Sequence, residues 1–154
     1  YQNDKGQLEL SRIYSNGKLD GLETNYKDNG TVEKTFYKDG EFGGYAVVED
    51  TATNKVLAKI SLDDEKKNGF INIDMKKGDM NYVALLKIEN RKLSGTVKGT
   101  DLIKGVTVEG RIEGSHRVGV WRAHDRDNKL LFEEKFTKKS KKSKIDIPFK
   151  ELLR

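Results

Sequence analysis

The sequence predicts an all-β protein, an elongated antiparallel meander of about five hairpin repeats, with a closed up-and-down β-barrel as the alternative arrangement of the same strands. Three observations predict it. Glycines return on a steady beat, Gly21, Gly44, Gly69, Gly95 and Gly119, at intervals of 23, 25, 26 and 24 residues. Between them, short segments alternate apolar and polar residues with period two, as half-buried strands do. Pairs such as Asn16-Gly17, Asn29-Gly30 and Asp39-Gly40 interrupt the segments. Asn-Gly and Asp-Gly supply the positive φ that tight hairpins need.

The repeat domain is expected over residues 6–137. Its first strand, near Leu8 to Tyr14, forms an edge that charge or a covering segment must protect. Module one opens at Asn16-Gly17 and reaches its marker at Gly21, with Leu19 just before it; module two repeats this with Asp39-Gly40, Phe42 and Gly44. A second turn signal follows each marker after about nine residues: Asn29-Gly30, Asn54, Gly78, Thr100-Asp101 and Asp127-Asn128. Between these signals, Val56, Ala58, Ile60 and Leu62 share one strand face, as do Met80, Tyr82, Ala84, Leu86 and Ile88. Leu102, Val106, Val108 and Ile112 form a third set, and Leu130, Phe132 and Phe136 a fourth. Each module is then one hairpin. The glycines Gly17, Gly21, Gly40, Gly44, Gly69, Gly95 and Gly119 are read as turn residues that relieve a steric clash. A phosphate-cradling loop would need a helix behind it, and no amphipathic helical stretch follows any of them.

Tyr14-Ser15-Asn16-Gly17-Lys18-Leu19-Asp20-Gly21 and Tyr37-Lys38-Asp39-Gly40-Glu41-Phe42-Gly43-Gly44 share a Tyr-x-x-Gly-x-x-x-Gly signal. Glu113-Gly114 through Gly119-Val120-Trp121 is a third copy with one residue inserted between its glycines. The signal resembles that of the MORN-repeat family in its bacterial variant form. The middle modules depart from it, with Asp64 or Glu65 and then Arg91 where the first glycine belongs. The resemblance implies a non-enzymatic scaffold or protein-interaction module, sometimes at membranes. It also implies antitoxin-like, toxin-neutralising or envelope roles among bacterial variants, and so a bacterial protein of the cell envelope or a secreted one, with the cytoplasm as the alternative.

Composition agrees with a thin sheet. The chain has 154 residues and only 34% hydrophobic content, against a usual ~45–50%. That suits one packed and one wet face better than a thick two-layer core. There are no cysteines, which excludes disulfides and cysteine-based metal or redox sites. No positively charged, apolar leader opens the chain, as expected of an exported protein after processing. The net charge of +5 lies wholly in residues 138–154, which hold seven basic and two acidic groups, so the body is neutral. The basic pI is therefore no sign of a nucleic-acid binder. Within this segment Lys138, Lys139, Lys141, Lys142 and Lys144 form a lysine run, a candidate contact for an anionic partner. It has no aromatic residue to stack on bases and no arginine to fork a phosphate. Phe149, Leu152 and Leu153 follow at helical spacing, a turn able to cap the sheet end.

No constellation argues for catalysis, a metal or a cofactor. His116 and His124 are eight residues apart across a marker glycine, which fixes no ligand geometry. Asp125-x-Asp127-Asn128 lacks the glycine and terminal glutamate of a calcium loop. Asp63-Asp64-Glu65 reads as turn carboxylates facing water, and no nucleophile elbow is present. Asn29-Gly30-Thr31 fits a glycosylation acceptor, but the hairpin turn accounts for it. The aromatics serve to stack between hairpins, or to line a groove for a peptide or glycan. The expected partner is a protein, with an anionic membrane surface as the rival. If the lysine run anchors the chain to such a surface, sedimentation with anionic vesicles will weaken as salt rises and vanish on removal of residues 138–154.

Overall fold

The computed structural model describes residues 9–138. Thirteen strands follow one another: β1 (Leu10–Ser11), β2 (Tyr14–Ser15), β3 (Lys18–Leu19), β4 (Gly21–Tyr26), β5 (Thr31–Lys38), β6 (Glu41–Asp50), β7 (Val56–Leu62), β8 (Gly69–Lys77), β9 (Met80–Glu89), β10 (Lys92–Asp101), β11 (Val106–Glu113), β12 (His116–His124) and β13 (Leu130–Phe136). Eleven form one antiparallel sheet in the order β1-β4-β5-β6-β7-β8-β9-β10-β11-β12-β13, and β2 and β3 make a separate small hairpin. The sheet is an open meander and does not close into a barrel. Its first strand, β1, is an edge of two residues. Lys139, Lys141, Lys142, Lys144 and the expected capping turn lie outside the described residues.

Turns alternate between the two long edges of the meander. Asn16-Gly17, Asp39-Gly40 and Asn90-Arg91 each place two successive residues at positive φ, the geometry of the two-residue hairpin that follows strand twist. Arg91, at φ 65, takes that conformation where the other two turns have glycine. Neighbouring turns on one edge are stitched together. Gly40 N–H donates to Leu19 O at 2.7 Å, Arg91 N–H to Lys67 O at 2.8 Å and Gly114 N–H to Leu93 O at 2.6 Å. On the other edge, Thr51 N–H donates to Gly30 O at 3.0 Å and Leu102 N–H to Asp79 O at 2.8 Å. Each link spans one repeat, so the beat of the sequence appears as hydrogen bonds between turns.

The markers do not sit where the turn reading put them. Gly17 and Gly40 occupy turns, but Gly21, Gly44, Gly69, Gly95 and Gly119 lie in β4, β6, β8, β10 and β12. Their spacing from the turn carries them into the outgoing strand, so a close approach or a bend explains the missing side chain. A Cβ on Gly69 would stand 1.9 Å from Ser61 O, and one on Gly95 2.3 Å from Leu85 O. Gly44 and Gly119 instead lie in bulges. There β6 sets Gly43, Gly44 and Tyr45 against Phe36 alone, and β12 sets Gly119, Val120 and Trp121 against Gly110 alone. Bulges of this kind bend a strand and sharpen its twist. The bulges fall in modules that carry the full two-glycine signal. At Gly69 and Gly95, in the departing modules, the register runs without a shift.

The main core is a set of rows running across strands on one face, while Val32 and Val47 are buried on the other. Ala46, Ile60, Ile71, Leu86, Gly95 and Ile112 are successive cross-strand partners, and Val48, Ala58, Ile73, Ala84 and Val97 form the parallel row. Ile60, Ile71, Leu86, Ile88 and Ile112 are fully buried, each stabilising the fold by about 1.5–3 kcal/mol. Trp121 closes the C-terminal end. Its ring lies over Gly110, where a Cβ would stand 2.3 Å away, its indole N–H donates to Arg111 O at 3.0 Å, and it meets Phe136 edge-on at 6.1 Å. The expected faces hold at Ala58, Ile60, Ala84, Leu86 and Ile88. Leu102 instead falls in a turn, and Val56, Leu130 and Phe132 stay exposed near strand ends.

Gly69→Ala drives a methyl into a backbone carbonyl and will lower stability by about 1–3 kcal/mol. Ile71→Ala will cost about 2–5 kcal/mol. Gly114→Ala, at positive φ with nothing within 4 Å of its Cβ, will cost only about 1 kcal/mol. Urea denaturation midpoints will order the three.

Candidate functional site

The face opposite the core carries its own apolar residues, on the off-beat of the same strands. Leu22 in β4 pairs with Phe36 in β5, and Tyr45 in β6 connects through Ser61 to Phe70 in β8. The ring of Phe36 lies over Gly43, where a Cβ would meet it at 2.3 Å. The Lys59 ammonium sits 5.4 Å from the Tyr45 ring centroid. Phe70 is 53% exposed. Further along the same face, Val83, Leu85 and Val120 line a shallow groove of about 450 Å³ with Thr96, Lys98, Glu109, Arg111 and Arg122. Leu85 is 59% exposed. Ion pairs fill the spaces between: Lys34–Glu49 at 3.0 Å and Arg122–Glu133 at 3.0 Å. Apolar contacts ringed by charge are the usual make-up of a recognition surface.

Tyr37, Phe42, Tyr82, Trp121, Phe132 and Phe136 belong to the core face by register, whereas Tyr26, Phe36, Tyr45 and Phe70 belong to the outer face. The aromatics therefore divide between the two roles that the sequence leaves open. Sequence reasoning missed the outer row. The only signal for it is an aromatic or leucine beside a core residue, such as Phe70 next to Ile71 or Leu85 next to Leu86, which breaks strict alternation.

The charged candidates separate. His116 and His124 stand at opposite ends of β12, about 26 Å apart at the usual rise per residue. Among the described residues no three His, Cys, Asp or Glu side chains are grouped to share a metal ion. Asp125 Oδ1 accepts from Asp127 N–H and Lys129 N–H, both at 2.9 Å, which is turn chemistry. Asn29 Oδ1 likewise accepts from Thr31 N–H at 3.1 Å and from its hydroxyl at 2.6 Å. Of the lysine run, Lys138 is described. It reaches Glu113 at 2.8 Å beside a second cleft, of about 580 Å³, at the edge of the sheet. No helix among the described residues is long and apolar enough to cross a membrane.

Comparison with protein-family models, with curated proteins and with solved structures finds no match to this chain.

Asp63 heads the six-residue loop between β7 and β8. The Asn68 side chain donates to its carboxylate at 2.9 Å and Lys67 N–H at 3.0 Å, and these bonds, that of Asn68 first, hold its pKa below the ordinary 3.8. Asp101 is lowered in the same way, chiefly by Lys104 N–H. A depressed folded-state pKa contributes stability in full above the unfolded value and loses it as pH falls through the folded value. Urea midpoints of the wild type and Asp63→Ala will therefore differ by a constant gap down to about pH 4 and converge below it.

Proposed function

We propose that the chain is a non-enzymatic interaction module, a MORN-like repeat scaffold whose outer sheet face receives a protein partner. The observation that carries this reading is the exposed row of Leu22, Phe36, Tyr45 and Phe70, continued by Val83, Leu85 and Val120. A surface seldom keeps so many large apolar side chains on one sheet face unless something covers them. A repeat sheet offers an elongated platform, so contacts can be spread over several modules. The sequence resemblance to MORN repeats supports the same reading.

The outer residues are exposed, so changing them leaves the core rows intact. Phe70→Lys combined with Leu85→Lys will shift the unfolding midpoint little, with surface substitutions usually within about 0.5 kcal/mol. Cross-linked affinity capture from native extract, compared between the intact chain and this variant, tests the proposal. Partners held by the intact chain should fall at least about tenfold in the variant, a loss of about 1.4 kcal/mol. Equal recovery by both would remove the outer face as the binding surface.

A further inference from the structure

The long edge that carries the turns Asn90-Arg91 and Gly114-Ser115 holds a second cleft, of about 580 Å³, within the size range of small-molecule sites. Arg91, Lys92, Ser94, Arg111, Glu113 and Lys138 contribute to its lining. Arg91 comes from the turn between β9 and β10, Lys92 and Ser94 from β10, and Arg111 and Glu113 from β11. Four cations thus converge from separate parts of the chain against one carboxylate. That carboxylate is already answered by Lys138 at 2.8 Å. Arg91, Lys92 and Arg111 make no ion pair among the described residues.

Arg91 adds a second reason to expect a ligand. It stands at φ 65, in the left-handed region, in the turn position that Gly17 and Gly40 fill elsewhere on this edge. Holding a side chain there costs about 1–2 kcal/mol relative to glycine. An arginine kept at a strained turn, aligned with other cations around a cleft, has a reason to be there if its guanidinium is used.

We infer that this cleft binds a small organic phosphate, with Arg91 and Arg111 gripping the phosphoryl oxygens and Lys92 and Lys138 supplying further charge. A single carboxylate would leave most of this charge unanswered. A phosphate monoester or diphosphate, at about −1.5 or more, matches it better. Guanidinium groups hold phosphate oxygens with paired donors, and the Ser94 hydroxyl adds a neutral donor. The cleft lies at the edge of the sheet, apart from the Leu22–Phe70 row of the outer face, and shares Arg111 with the groove around Val83, Leu85 and Val120, so its binding of pyrophosphate is measured on the chain without a protein partner.

The shared chemistry is the phosphoryl group, and the source is taken to be a free molecule in solution. Titration calorimetry with inorganic pyrophosphate on the full chain tests this, beside flotation with phosphatidic acid vesicles. Saturable binding with one site per chain is expected. Arg91→Gly and Arg111→Ser should each weaken it at least about tenfold, the scale of losing a charge-assisted contact. Arg91→Gly should also leave the unfolding midpoint unchanged or higher, since glycine relaxes the turn, and this separates a binding role from a structural one. Lys76→Ser with Lys77→Ser, on the opposite edge and outside any ion pair among the described residues, removes twice the charge of either variant and should weaken binding no more than twofold. Binding that fails to saturate, equal loss in this control, or attachment to vesicles without pyrophosphate binding would each overturn the inference.

Discussion

A sheet one layer thick hides most of its apolar side chains on one face, with Val32 and Val47 buried on the other, and the rest of this molecule follows from keeping the main face in register. Ile60, Ile71, Leu86 and Ile112 bury one another because their strands align them as cross-strand partners. A slip of one residue would turn each of them to the outer face. Register is secured along both long edges, by turns and by hydrogen bonds from one turn to the next. The glycines within the rows belong to the same constraint. At Gly69 and Gly95 the neighbouring backbone stands where a side chain would be.

The repeats are alike in plan and differ in bend. The modules marked by Gly44 and Gly119 carry bulges, where three residues face one, while the first keeps a continuous register at Gly21. The two middle modules keep a straight register and hold most of the fully buried side chains. A bulge interrupts the ladder and rotates the strand, which suits the ends of the sheet better than its tightly packed centre. Trp121 shows what the C-terminal bulge gains: the extra residues let a large ring settle over Gly110 and against Phe136, with Arg117 lying over both rings at 5.3 Å.

The two surfaces left over have different chemistry. The outer face carries apolar side chains among ion pairs such as Lys34–Glu49 and Arg122–Glu133. The edge cleft is cationic, built where the ends of β10 and β11 meet the turns beside them. An extended polypeptide surface suits the first and a compact anion the second, and Arg111, which lines both, is where the two surfaces meet.

Fold class, strand alternation, the beat of about two dozen residues and the turns at Gly17, Gly40 and the Asn and Asp positions were legible in the sequence, because each is a local property of φ preference or of side-chain period. The place of the marker glycines was not. Glycine reports that something prevents a side chain, and only the neighbouring strand says whether it is a turn, a bulge or a carbonyl at 1.9 Å. The outer apolar row and the edge cleft were hidden for a related reason. Leu22, Phe36, Tyr45 and Phe70 in one case, and Arg91, Arg111 and Lys138 in the other, are brought together by the sheet across tens of residues. The sequence by itself determined which chain segments become strands and where they reverse, since those depend on neighbours in the chain. Tertiary structure alone decided which residues face each other and which stay in water, since that depends on register between strands and on bulges that no single strand encodes.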